Sequence, residues 1–339
     1  MNRKIYAVLC MAAFLSGVSA WCQPTCALAW THGMNDHPEW CEKFRQAGFD
    51  SLCIGLPKNT RESFWWRDSS SLDSIHPLLQ EAKSAGLRSY IQIPMGMMTG
   101  TKFGSRTVTA AGFEEPLLAC PLNENFWSEF LVPAVSAIAR LSLEFPGLRG
   151  VILDTEQYYG KERSGAINEH YCFCDECFGG FLKSLKIQGP MPARNGRLPW
   201  LEARGQLADY WKNLEHRVQK RAEHLEAAVQ AIAPKFEIHF YIFEDTWFYR
   251  GLLRGLASSG HTVFVFDGKT YNGFLKIWAE EAKAALAALN PRAVWVPGFY
   301  TETLNPRALR INIRKAKETD GSYWVYNTRI PFPFRSMEN

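Results

Sequence analysis

No long run of basic residues occurs in this chain, so it lacks the charge footprint of a nucleic-acid binder. No Gly-x-Gly-x-x-Gly follows an early strand pattern, which argues against a dinucleotide fold. No Gly-x-Ser-x-Gly nucleophile motif is present. Histidine is sparse, 8 in 339 residues, and only His32 sits where a barrel strand would present a ligand, so a metal-dependent hydrolase lacks its usual donors. After the first twenty residues no apolar run is long enough to span a bilayer without interruption.

What is present is apolar and aromatic: 47% hydrophobic, 14% aromatic, with a net charge of +4. That suits one large globular domain or two small ones. Residues 1–20 read as a secretory signal. Arg3 and Lys4 form a basic front, Ile5 to Leu15 is apolar, and Val18-Ser19-Ala20 offers small residues for cleavage. Removing those two charges takes the net from +4 to +2. The expected organisation is a leader over 1–20, a single catalytic domain over 21–339, and an exported protein, periplasmic or secreted.

From Cys26 onward the pattern alternates short apolar strands with amphipathic helices. Strands are expected over 26–33, 51–56, 87–95, 150–154, 236–243, 262–266, 293–299 and 322–326. Helices are expected over 37–47, 72–85, 125–144, 201–232, 248–257, 274–289 and 306–319. Gly86 is placed to end the second helix and Asn123 or Asn125 to cap the third. Eight largely apolar strands alternating with helices predict a parallel sheet closed into a (β/α)8 TIM barrel. Two departures are expected: a long cysteine-bearing insertion after strand four (157–199), and a last helix that is short or missing, since only a short tail follows strand eight.

The organising stretch is Arg149 to Phe178. Side chains alternate along a strand, so Ile152, Asp154 and Glu156 share a face and two carboxylates point the same way at the carboxyl end of strand four. Barrel enzymes carry their chemistry at such ends. The other strand ends offer His32, Gln92, Tyr241, Glu244, Asp245, Asp267, Tyr300, Glu302, Trp324, Tyr326 and Asn327, with Tyr158 and Tyr159 just past Glu156. A rim of carboxylates and rings suits carbohydrate: rings stack on apolar sugar faces, and paired carboxylates supply acid, base or nucleophile. Catalysis is assigned to Glu156, Asp154 and Glu302, and substrate contact to His32, Tyr158, Tyr241, Glu244, Asp267, Tyr300 and Trp324. At most two of Trp65, Trp66, Trp127 and Trp247 are expected to be sugar platforms. Asp154 lies about 7 Å from Glu156 along the strand and would raise its pKa, keeping it protonated for proton donation.

Cys172, Cys174 and Cys177 form C-x-C-x-x-C, a spacing that lets thiolates converge on one ion, and Cys120 is the best fourth ligand for a structural zinc. Four thiolates leave no open position for catalysis. In an exported protein the nine cysteines could instead form disulfides, with Cys41–Cys53 and Cys22–Cys26 as candidate pairs.

Cys120-Pro121-Leu122-Asn123, Asp154-Thr155-Glu156-Gln157-Tyr158 and the cysteine triplet followed by Phe178 and Phe181-Leu182 resemble the β-galactosidases of glycoside hydrolase family 42, clan A barrel enzymes. The resemblance spans Cys120 to Leu182. It implies Glu156 as general acid/base, a nucleophile at the end of strand seven for which Glu302 is the nearest match, and a zinc on the four cysteines. The family's Asn before the acid is Thr155 here, and the chain is much shorter than the family's members. The Asp154-x-Glu156 pair also resembles the strand-four ending of chitinase-like hydrolases, which implies Glu156 as acid and Asp154 as the group orienting a substrate N-acetyl nucleophile. A carbohydrate-binding barrel without catalysis is the remaining alternative. No organic cofactor is expected, and the partner expected is a carbohydrate substrate.

Overall fold

The computed structural model describes residues 25–31, 37–56, 65–67, 69–95, 104–155, 158–159, 163–164, 172–242, 246–257, 260–273, 276–319 and 321–327. The expected leader, Cys22, and the tail after strand eight lie outside these residues.

Eight parallel strands close on themselves: β1 (Ala27–Thr31), β2 (Ser51–Ile54), β3 (Arg88–Pro94), β6 (Leu148–Asp154), β9 (Glu237–Ile242), β10 (Val263–Asp267), β11 (Ala293–Tyr300) and β12 (Tyr323–Asn327). The seam is closed by β1 against β12, from Ala27 opposite Tyr323 to Thr31 opposite Asn327. The fold is therefore the (β/α)8 barrel expected from the alternation. Its cause is visible in the side chains. Leu28, Trp30, Cys53, Ile152, Phe264, Phe266, Val296 and Trp324 fill the barrel interior. Their neighbours Ala29, Leu52, Val151, Leu153, Val265 and Val325 face the helix layer. A strand apolar on both faces has to be covered on both, which a closed parallel barrel achieves.

The covering helices are α1 (Trp40–Gln46), α2 (His76–Ser84), α3 (Val132–Glu144), α4 (Asp175–Ser184), α5 (Arg197–Glu202), α6 (Leu207–Gln230), α7 (Trp247–Gly255), α8 (Lys276–Leu289) and α9 (Pro306–Thr319). Gly86 follows α2 with φ +73, the left-handed turn expected of it. Asn123 is the residue that caps the next helical stretch, its Oδ1 accepting from the amides of Asn125 (2.8 Å) and Phe126 (3.2 Å). That stretch begins as a π-helical turn, Phe126–Leu131, before α3. Phe126–Glu144 is long and apolar enough to cross a membrane by length and composition, although Glu129 and Arg140 interrupt its apolar run, and 56% of its 18-residue apolar window is buried within the fold.

Two expectations are corrected. The stretch read as loop, 96–112, contributes Arg106–Val108 (β4), which pairs antiparallel with Glu114–Ala119 (β5) to form a hairpin leading straight into Cys120. The helix expected over 201–232 is two helices, because Gly205 takes φ +63 between α5 and α6.

At the amino ends of the strands a polar cluster anchors the barrel floor. Glu237 accepts from the Tyr90 hydroxyl (2.9 Å) and lies 3.1 Å from His239 Nε2 and 3.4 Å from Arg149. His239 Nδ1 accepts the Phe264 amide (3.1 Å), which leaves the proton on Nε2 to point at Glu237. Burial opposes ionisation of Glu237, yet the bonds from His239 and Tyr90 and the charge of Arg149 win, holding its carboxyl at about 2.

Candidate active site and a four-cysteine centre

Among the described residues the carboxyl ends of the strands form an aromatic cup and present one inward buried acid. On β6 the inward residue after Ile152 is Asp154, only 7% exposed. Gln92 of the adjacent β3 stands opposite Ile152 and reaches up to donate Nε2 to Asp154 Oδ2 at 2.5 Å. Gly55, just past β2, lies beside that amide: a Cβ there would sit in ordinary contact, 3.6 Å from Gln92 Oε1.

The next residue, Thr155, is turned the other way. Its hydroxyl donates to the Tyr241 carbonyl oxygen (2.8 Å) and receives the Tyr249 hydroxyl of α7 (2.8 Å). It is buried in the barrel wall. The position where the resemblance has an Asn is thus occupied by a residue that ties β6 to β9 and α7. Glu156 itself lies outside the described residues, as do His32 and Glu244. Tyr158 belongs to a two-residue strand, Tyr158–Tyr159 (β7), paired with Arg163–Ser164 (β8).

The cup is built from Trp30, Tyr271, Tyr300 and Tyr326. Tyr300 and Tyr326 meet at 5.4 Å, Tyr271 and Tyr300 at 5.6 Å, and Trp30 and Tyr326 at 5.9 Å. Tyr271 and Tyr326 stack nearly parallel, 11° apart at 6.1 Å. Tyr271, Tyr300 and Tyr326 are half-buried and so present ring surface to solvent. Glu302 stands exposed on the turn after β11, and the Tyr300 hydroxyl donates to its Oε2 at 2.6 Å.

Three sequence assignments change. Trp324 is fully buried, one layer below Tyr326, against the rings of Trp30 and Tyr271 and directly beside Gly298. Tyr241 is likewise buried, edge-on to Trp324. Both support the cup and do not line it. Asp267 is 5% exposed but points out of the barrel, because inward Phe266 precedes it. Its oxygens accept from Trp295 Nε1 (2.9 Å) and the Lys269 amide (2.8 Å). Burial raises its pKa, with those two bonds opposing. None of the four tryptophans considered as platforms is in the cup: Trp65, Trp127 and Trp247 are buried in the helix layer, and Trp66 packs against it, donating to the Glu129 carbonyl oxygen (3.0 Å). The residues that sequence reading left unassigned are Trp30, Gln92, Tyr271 and Tyr326.

Away from the cup, Cys120, Cys172, Cys174 and Cys177 bring four buried sulfurs within 4.8 Å of one another. Cys120 Sγ lies 3.3 Å from Cys177 Sγ and 3.4 Å from Cys174 Sγ. These separations are far beyond a bonded S–S of about 2.05 Å. They approach the about 3.8 Å edge of a tetrahedron with metal–sulfur bonds of about 2.3 Å. Backbone amides of Val108, Leu122 and Cys177 point at Cys172, Cys120 and Cys174 (3.3, 3.4 and 3.4 Å) and stabilise negative sulfur. Cys174 also caps α4. Hydrogen bonds from Cys120, Cys172 and Cys177 push its thiol far below the usual range; burial and the bonds with Cys172 and Cys174 hold Cys120 above it, and the bonds with Cys120, Cys172 and Cys174, with burial, hold Cys177 above it. The donor set fits a four-coordinate metal ion with no open position. The centre clips the β4–β5 hairpin to the start of α4, and the Tyr210 hydroxyl of α6 secures it at the Cys172 carbonyl oxygen (2.5 Å).

Among the described residues Cys26, Cys41 and Cys53 form no disulfide and are buried, and the candidate Cys22–Cys26 pair falls outside them. The candidate Cys41–Cys53 bridge is excluded by placement: Cys53 faces the barrel interior and Cys41 the helix layer.

No protein-family model matches the chain. No curated protein matches it in sequence. Solved structures do match it in fold. The catalytic domain of a β-amylase from Paenibacillus polymyxa superposes with a TM-score of 0.60 at 9% identity, covering 91% of this chain and 93% of that one. A β-galactosidase from Bacillus circulans sp. alkalophilus gives 0.60 at 11% identity, covering 90% of this chain and 50% of its own. One from Halorubrum lacusprofundi gives 0.56 at 12%, covering 90% and 52%. The chain thus spans about half the length of the β-galactosidases, and at these identities what it shares with all three is the barrel.

Proposed function

We propose that this protein is an exported glycoside hydrolase that cleaves O-glycosidic bonds at the barrel mouth, with Glu156 as general acid/base. The observation that carries the reading is the cup itself, half-exposed Tyr271, Tyr300 and Tyr326 at the carboxyl end of the barrel, together with an inward, buried Asp154 at the same end of β6. Rings of this kind bind the apolar faces of a sugar, and a buried carboxylate two residues before the acid favours its protonated form. The β-amylase and β-galactosidase barrels that the chain resembles in fold support the same class. Export rests on the leader-like residues 1–20.

The catalytic partner separates two mechanisms. With Glu302 as nucleophile, two carboxyls about 5–5.5 Å apart give retention through a glycosyl-enzyme. A substrate-assisted route instead uses Asp154 to orient an N-acetyl group. The outward turn of Thr155 favours this second route, because the position of the first route's Asn is spent on Tyr241 and Tyr249 while Asp154 points inward. Zinc on the four cysteines would be structural, consistent with the all-thiolate donor set.

Hydrolysis of aryl glycosides with and without a 2-acetamido group tests the choice. Turnover confined to acetamido sugars and lost in Asp154→Asn selects the substrate-assisted route. Turnover of plain glycosides that falls at least 1000-fold in Glu302→Gln selects the two-carboxylate route. No turnover of any glycoside, with saccharide still bound, would overturn the enzyme reading in favour of a binding barrel.

A further inference from the structure

A second cavity, of about 450 Å³, lies outside the barrel between α7, α8 and the outer faces of β9 to β11. It is separated from the cup by the barrel wall. Val265, Asp267 and Trp295 face it, while Phe264, Phe266, Val294 and Val296 on the same strands face the interior.

The sequence creates this space. Gly251 and Gly255 sit one helical turn apart on α7 and let it close onto α6. A Cβ at Gly255 would lie 2.4 Å from the Ala222 Cβ, and one at Gly251 would lie 2.6 Å from the Glu215 carbonyl oxygen. On the other flank α8 presents Ala282 and Ala285, too short to fill the gap left behind. Protein interiors tolerate few voids larger than a water molecule, and this volume is that of a ligand pocket.

The walls are apolar, from Phe240, Leu253, Val265 and Leu286, but the floor holds the buried Asp267 carboxylate. The Lys269 amide and Trp295 Nε1 take one bond on each of its oxygens. A carboxylate accepts about four bonds, so each oxygen can take another donor. The other charged lining groups are Arg250, Lys269 and Glu281. Arg250 is bound to Glu215 at 3.1 Å, and Lys269 and Glu281 are exposed.

We propose that this cavity is a second ligand site, distinct from the barrel mouth, for a small molecule with an apolar body and one hydrogen-bond-donating head, an alcohol or an amine, which bonds to Asp267. The apolar body fills the space beside Ala282 and Leu286, and the head meets the carboxylate.

Isothermal titration of the full chain with octylamine, 1-octanol and octanoate tests the site. Saturable binding of octylamine or octanol at least tenfold tighter than octanoate is expected. A tighter amine assigns a cationic head and a tighter alcohol a neutral one. Asp267→Asn should weaken octylamine at least tenfold, and Ala282→Phe, which fills the space and leaves the acid, should abolish binding of both. Absence of saturable binding to the wild-type chain, octanoate binding as tightly as octylamine, or unchanged affinities in a folded Ala282→Phe variant would each overturn the proposal.

Discussion

Replacing Gly298 by alanine strikes the floor of the cup directly. Gly298 of β11 stands opposite Trp324 of β12, and a Cβ there would lie 2.4 Å from Trp324 Cε2 and Nε1. Carbon atoms pack at about 3.5–4.0 Å, so the indole has to retreat by roughly 1 Å or more. It has little room to do so: it is fully buried, with Trp30 at 5.3 Å and Tyr241 and Tyr271 each at 5.4 Å. Overpacking of a rigid core costs about 1–3 kcal/mol, and the stiffer alanine backbone returns about 0.5–1 kcal/mol of it. A net loss of about 1–2 kcal/mol is expected from the shift in urea midpoint. The displaced indole also pushes on Tyr271 and Tyr326, so saccharide affinity should fall about tenfold, the equivalent of about 1.4 kcal/mol. A variant as stable as the parent, with unchanged saccharide affinity, would refute the packing assigned to this floor.

Three further outcomes follow from other parts of the molecule. Glu237 is held at about 2 in the fold against an ordinary 4.5, so its contribution is fully present above about pH 5 and is lost as pH falls towards 2. That difference is worth about 3 kcal/mol, so Glu237→Gln should flatten the acid limb of stability measured by urea unfolding between pH 5 and 2.5; an unchanged limb would contradict the Tyr90–Glu237–His239 cluster. Cys174→Ser should remove one equivalent of bound metal by elemental analysis and lower thermal stability, whereas strong chelation of the parent should lower stability before it lowers turnover. Tyr326→Ala should raise KM for saccharide at least fivefold with a smaller effect on kcat, because the ring binds ground state and transition state alike; a kcat effect without a KM effect would contradict its stacking role.

The barrel was readable because its strands are apolar on both faces, a pattern with few other solutions. The cysteine centre was readable because three of its ligands are local and the fourth precedes a cappable helix. Side-chain direction was harder to read. Asp267 and Trp324 both stand near strand ends, but height along a strand does not give facing. Phe264 and Phe266 of VFVFD are inward, which sends Asp267 outward to Trp295. Trp324 is inward but one layer deep, and Tyr326, two residues on, reaches the surface. Trp30 was within reach of the same alternation, through Cys26 and Leu28. Tyr271 was not, because it enters the cup from the turn after Gly268–Thr270, and a turn carries no strand period. The β4–β5 hairpin escaped notice because the Gly- and Thr-rich residues 96–112 look like loop, and Arg106–Val108 is too short to show alternation.

The central claim is that Glu156, beyond the buried Asp154, donates the proton at an aromatic sugar site. The most direct measurement is single-turnover hydrolysis of an aryl glycoside by Glu156→Gln, with saccharide binding followed on the same sample. The account predicts a rate at least 1000-fold below the parent with affinity within threefold. Near-parental turnover in the folded variant would contradict it.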